Sequence, residues 1–177
     1  LWNHYQGESM IYLLIEKGIG GCMIQKDNIV KGRHHHAGEF GHMTLYPKGR
    51  DCKCGQKGCL EAYISIARIS EDLDCQVEDF FAGLSAGNKE YHMIWEEYME
   101  NLCIGIHNIY MMYDEQIVLG GILTGYLEPY AEQMITRLSE MNIFEGSGAY
   151  LKLAKYQSRA VAVGAALQLV SGFMKTV

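Results

Sequence analysis

No apolar run in this sequence approaches the ~20 residues that a membrane-spanning helix needs, so no membrane segment is expected. The opening LWNHYQGESM has neither a basic n-region nor an apolar h-region, so no signal peptide is expected either. It begins with Leu rather than Met, as a fragment or processed chain would. Positive charge is scarce: 15 Lys+Arg stand against 21 Asp+Glu, a formal charge of −6. Such a chain makes a poor nucleic-acid binder, because duplex affinity comes mostly from neutralising phosphates. Proline is nearly missing, with 2 in 177 residues, but the composition is 49% hydrophobic and 20% charged with 20 Gly. That excludes intrinsic disorder and leaves one domain with a real core, or two small lobes. No repeat with a period of about 20–50 residues is present.

Cysteine is present and unevenly placed. Of 6 cysteines, Cys52, Cys54 and Cys59 crowd together, while Cys22, Cys75 and Cys103 stand alone in apolar or helical contexts. This is the distribution of a metal site rather than of disulfide staples. It points to a reducing cytoplasm, with the three lone cysteines as buried small hydrophobes.

The apolar pattern predicts an α/β (α+β) layer architecture, because strands alternate with helices. Met10–Ile15 reads as a strand, and a second begins at Cys22–Ile24 after Gly18-Ile19-Gly20-Gly21. Asp27-Asn28 supplies a turn before Ile29-Val30. Residues 31–58 read as a long functional loop, and helical spacing follows over 58–67 and 71–82, with a break at 83–88. The longest helix is predicted from Tyr91 to Tyr113, with Ile94, Trp95, Tyr98, Leu102, Ile106, Ile109 and Tyr110 on one face. Its further apolar residues, among them Met99, Met111, Met112 and Tyr113, suggest a helix that needs a partner. A strand at Gln116–Leu119 runs into Gly120-Gly121; a helix over 127–140, a strand over 150–154 and an Ala-rich helix over 159–174 follow.

Three thiolates and one imidazole make a closed tetrahedral set for Zn2+, and His42 precedes the C-x-C-x4-C run Cys52, Cys54, Cys59. His34, His35 and His36 compete with His42 as the fourth ligand. Glu39 is three residues before His42 and Glu61 two after Cys59. Carboxylates beside a fixed imidazole can read sugar hydroxyls, or they can be solvated surface acids. Backbone N–H groups at Gly18, Gly20 and Gly21 could cradle a phosphate, although a glycine-rich hairpin is the more frequent reason for such a run. Gly120 and Gly121 lie where open α/β sheets bind nucleotides.

Together these segments resemble the ROK family (repressors, open reading frames and sugar kinases) along essentially the whole chain. The carrying motifs are IEKGIGGCMI, AGEFGHM, CKCGQKGCLE with Ser65 in EAYIS, IVLGG and RAVAVGAALQL. The resemblance implies an actin-like, ribonuclease-H-like ATPase fold. Residues 1–177 would be its C-terminal lobe, with an inserted zinc- and sugar-binding loop over about 31–65. It further implies hexose contacts from Glu39, His42 and Glu61, zinc ligation by His42, Cys52, Cys54 and Cys59, and phosphate-side glycines at Gly18, Gly20, Gly21, Gly120 and Gly121. The family's Asp-x-Gly-x-Thr motif and its Asn-Asp pair, which carries the catalytic base, do not occur in this sequence. No catalytic residue is therefore assigned.

Glu16 and Lys17 stand where the family's kinases carry small residues. A carboxylate there repels phosphates. The resulting expectation is the effector-binding and dimerising lobe of a sugar-responsive transcriptional regulator, reaching DNA only through a separate domain. The alternative is the C-terminal half of an ATP-dependent sugar kinase, which would also require ATP and Mg2+. A zinc-ribbon nucleic-acid binder, suggested by Lys48, Arg50, Lys53 and Lys57, is disfavoured by the net charge.

Overall fold

The computed structural model describes residues 8–26 and 28–154. Strands β1 (Met10–Ile15), β2 (Ile19–Gln25) and β3 (Asn28–Val30) form an antiparallel meander. Strands β4 (Gln116–Gly120) and β5 (Leu151–Leu153) extend it in parallel on the other side of β1, giving the order β3-β2-β1-β4-β5. Successive strand side chains alternate between faces. Ile11, Leu13, Ile15, Ile117 and Leu119 accordingly enter the main core, whereas Met10, Tyr12, Val118 and Ala154 cluster on the opposite face.

The helices are α1 (Glu61–Ile64), α2 (Ala67–Ser70), α3 (Val77–Ser85), α4 (Lys89–Tyr113), α5 (Thr124–Leu127) and α6 (Ala131–Met141). Helix α4 starts where the Asn88 side chain accepts the N–H groups of Glu90 and Tyr91, which leaves fewer orphan donors in its first turn. It stops at Asp114, whose left-handed φ of 50° ends the helix. Between these caps, Trp95, Tyr98, Leu102, Ile106 and Ile109 are buried in the main core. Burying a Leu of this kind contributes roughly 1.5–3 kcal/mol, and truncating it to Ala costs about 2–5 kcal/mol through the cavity left behind.

Several local expectations are corrected. The helical stretch over 58–67 is two short helices, because Ser65 is extended and Ile66 donates its N–H to the Glu16 carbonyl at 2.8 Å. Helix α3 begins at Val77 rather than 71, after Asp74 turns with φ 48°. Gly83 lies inside α3 rather than breaking it; a Cβ there would meet the Tyr91 ring at 2.7 Å. The helix over 127–140 is α5, a 3-10 turn at Glu128–Tyr130 and then α6. Of the lone cysteines only Cys103 is buried, while Cys22 and Cys75 are partly exposed. Trp95, Tyr98 and Met99 are covered by the chain itself, leaving Met111, Met112 and Tyr113 exposed at the end of α4. Those three buried side chains therefore call for no partner. The Ala-rich helix over 159–174 lies outside the described residues. No helix among the described residues is long and apolar enough to cross a membrane.

Candidate functional site

The segment between β3 and α1 holds its shape through backbone bonds rather than through regular structure. Leu45 donates its N–H to the Gly58 carbonyl at 2.7 Å, Gly58 donates to Arg50 at 2.7 Å, and Leu60 donates to Met43 at 2.8 Å. Gly58 has φ +78°, and a Cβ there would overlap the Tyr46 carbonyl, so only glycine fits. These crossings bring distant cysteines back onto the short 3-10 turn Phe40–His42.

One donor atom from each of His42, Cys52, Cys54 and Cys59 lies within 4.8 Å of the others. The Cys54 and Cys59 sulfurs are 3.7 Å apart, and Cys52 Sγ is 4.0 Å from His42 Nδ1. A tetrahedral Zn2+ with Zn–S near 2.3 Å places its sulfurs about 3.8 Å apart, so the set fits this ion; a disulfide needs about 2.05 Å. All six cysteines are free. Burial pushes the Cys59 thiol up to about 12, with further upward pressure from neighbouring Cys54 and Cys52. A dication would offset that crowding by stabilising the thiolates. His34, His35 and His36 are exposed and outside the cluster, so His42 is the histidine that joins it.

Both carboxylates border this cluster. Glu39 Oε2 is 3.9 Å from His42 Nε2, on the ring nitrogen turned away from Cys52. Glu61 opens α1, with Oε1 4.0 Å from Cys52 Sγ and Oε2 accepting the Ile19 N–H at 2.8 Å. His42 thus turns Nδ1 to the cysteine cluster and Nε2 towards Glu39. The two acids bring negative acceptors to the same cluster.

The glycines divide differently from the phosphate-cradle expectation. Only Glu16-Lys17-Gly18 form the hairpin turn, with Glu16 donating its N–H to the Gly18 carbonyl at 2.9 Å. Gly20 and Gly21 are strand residues of β2, opposite Leu14 and Leu13. A Cβ on Gly21 would meet the Phe40 ring at 2.5 Å, so this glycine seats the Phe40–His42 turn on the sheet. Gly120 ends β4, and Gly121 follows with φ +103°. Ile122, next in that turn, donates its N–H to the Glu16 carboxylate at 3.1 Å. The two glycine turns are therefore joined by a carboxylate.

Tyr63 and Arg68 carry no sequence signal of a place at the site. Tyr63 hydroxyl accepts the Arg50 N–H at 2.8 Å, and buried Arg68 reaches Asp72 at 3.3 Å and Glu97 at 3.7 Å. Arg50, Lys53, Arg68 and Lys17 line a cleft of about 100 Å³ beside Glu61. Asp72 lies in the turn after α2, so no helical spacing signalled its pairing with Arg68.

The chain is 31% identical over 142 residues to an N-acetyl-D-glucosamine kinase of Yersinia pseudotuberculosis, covering 70% of this chain and 46% of that protein. It spans about half the length of the curated relatives it matches. The ROK hexokinase of Thermus thermophilus superposes with a TM-score of 0.74 at 25% identity, over 91% of this chain and 58% of that one. A ROK family transcriptional regulator, homologous to the E. coli MLC protein, shares the fold with a TM-score of 0.65 at 23% identity, over 82% and 41% of the two chains. The mixed sheet with its helices is thus the fold of the ROK sugar kinases, actin-like as the motifs implied. With a ROK family profile matching residues 2–171, this chain belongs to the ROK family.

Proposed function

We propose that this chain is the C-terminal, sugar-binding lobe of a sugar-responsive transcriptional regulator of the ROK family. Zn2+ held by His42, Cys52, Cys54 and Cys59 fixes the imidazole plane, and Glu39, His42 and Glu61 read the hydroxyls of a hexose or N-acetylhexosamine. The observation that carries the sugar reading is the gathering of both acids about the Cys3His cluster, each within 4.0 Å of one of its members. A regulator is favoured over an enzyme by the Glu16 carboxylate, which occupies the Ile122 N–H between the two glycine turns. Negative charge at that edge opposes a nucleotide's phosphates. DNA would be reached through a separate domain, and the protein would work as a cytoplasmic homodimer.

A second reading, the C-terminal half of an ATP-dependent sugar kinase, is favoured by the names of the curated relatives, N-acetyl-D-glucosamine kinase and N-acetylmannosamine kinase. It would bring ATP and Mg2+ to the Gly120-Gly121 turn.

Calorimetry on the full-length protein with N-acetyl-D-glucosamine, N-acetyl-D-mannosamine and D-glucose tests the sugar reading. Glu39→Gln and Glu61→Gln should each weaken binding about tenfold, the worth of one charge-assisted hydrogen bond, with zinc content unchanged. Unchanged affinity in both variants would refute it. Brisk sugar-dependent ADP release by the same protein would establish the kinase reading instead.

A further inference from the structure

Glu61 reaches the hairpin turn between β1 and β2 across 42 residues of chain, where its Oε2 accepts the Ile19 N–H at 2.8 Å. A Cβ added to Gly18 would lie 2.8 Å from that same oxygen and 3.5 Å from the carboxyl carbon. Across the carboxylate, a Cβ on Gly41 would lie 3.4 Å from Oε2 and 2.7 Å from the Ile19 carbonyl oxygen. The carboxylate therefore rests in a slot that exists because positions 18 and 41 carry no side chain.

The backbone does not demand glycine at 18. Its φ is outside the left-handed region, unlike that of Gly121 at +103°. Gly20, in the same motif, has open space where its Cβ would stand. What distinguishes Gly18 from Gly20 is contact with Glu61.

We infer that Gly18 is a positioning residue for Glu61: its missing side chain lets the carboxylate dock on the Ile19 N–H and so aims the other oxygen at the ligand. With Oε2 committed to a backbone donor, Oε1 is left beside the Cys52 thiol at 4.0 Å with lone pairs free to accept a hydroxyl. This assignment rests on the sugar reading, and it gives Gly18 a role in shaping the sugar site. Because the obstructed group is the end of a flexible side chain, Gly18→Ala should fold normally and displace only the carboxylate.

The test uses the full-length protein and whichever of N-acetyl-D-glucosamine, N-acetyl-D-mannosamine and D-glucose binds it. Gly18→Ala should weaken that sugar about tenfold, as the loss of one well-placed charged acceptor does, with zinc content and melting temperature near the parent's. Gly20→Ala should bind as the parent does. In a Glu61→Ala background, Gly18→Ala should cost less than about twofold more, because coupled residues fail to add. Amide exchange at Ile19 should quicken in both Gly18→Ala and Glu61→Gln. The inference is overturned if Gly18→Ala binds sugar normally, if its loss persists undiminished without the Glu61 carboxylate, or if Gly20→Ala loses as much. Should Glu61→Ala leave affinity unchanged, Glu61 does not read the sugar and this assignment falls; should Glu39→Gln leave it unchanged too, the sugar reading itself falls. If no sugar binds the parent, unchanged Ile19 exchange in Gly18→Ala alone overturns the positioning role.

Discussion

The Tyr46 hydroxyl donates a 2.9 Å hydrogen bond to Asn101 Oδ1, joining the cysteine-bearing loop to the middle of α4 across 55 residues of chain. Its ring meets Tyr63 edge-on at 5.1 Å between centroids, and Tyr63 in turn holds the Arg50 N–H. The loop is thus anchored to the core by a tyrosine pair as well as through its cysteines.

Tyr46→Phe keeps the ring contact and removes the donor, leaving the buried Asn101 carbonyl without it. An unsatisfied buried acceptor costs roughly 1–3 kcal/mol. Urea denaturation should show a loss in that range, with zinc content preserved, because none of the four ligands is touched.

Purified without added metal, the protein should contain about one zinc per chain. His42→Ala and Cys59→Ser should each lower that content, and Co2+ substitution should give the absorption of a tetrahedral thiolate site in the parent alone. Chelation should make residues 31–58 protease-sensitive while far-UV dichroism changes little, since strands β1, β2 and β4 are built from their own ladder. A disulfide between Cys54 and Cys59 in freshly reduced protein would contradict this.

Glu16→Gly frees the Ile122 N–H and removes the carboxylate between the two glycine turns. In the full-length protein a fluorescent ATP analogue should bind the variant more tightly than the parent, and lower ionic strength should widen the gap. Equal binding by both would show that Glu16 does not guard that edge.

Tyr150 stacks on Tyr110 with centroids 3.7 Å apart, and its hydroxyl has no hydrogen-bond partner among the described residues. Burial pushes that hydroxyl up to about 12 from its ordinary value of 10.0, with Tyr110 and Cys103 adding to the shift. The unfolded chain therefore gives up this proton at lower pH than the folded one. Stability tied to the neutral hydroxyl is full below pH 10 and is lost as pH rises from 10 towards 12. Tyr150→Phe keeps the stack, so thermal melts should find it at least as stable as the parent at pH 7 and less sensitive to alkali.

The cysteines that gather with His42 were legible in the sequence. Cys52, Cys54 and Cys59 are close in sequence, and a thiolate cluster needs little beyond short spacing and glycines to close it. Met10–Ile15, Gln116–Leu119 and the body of α4 were legible too, because apolar periodicity over several residues reports a buried face directly. Boundaries were less so: the start of α3 depends on the Asp74 turn, and the break after Ile64 on the Glu16 carbonyl.

What the sequence determined by itself was the family, the three cysteine donors and the alternation of strands and helices, since these follow from residue type and local spacing. What only the tertiary structure decided was which partners meet. Gly18, Gly20 and Gly21 are indistinguishable as letters in one motif, but one faces a carboxylate, one faces open space and one faces the Phe40 ring. His42 was separated from three competing histidines by where the chain crosses itself, and Glu16 met Ile122 only because β1 and β4 pair in parallel with their ends level. The Glu61–Ile19 and Glu16–Ile122 contacts span 42 and 106 residues, and they depend on strand register and loop closure, which no local pattern encodes.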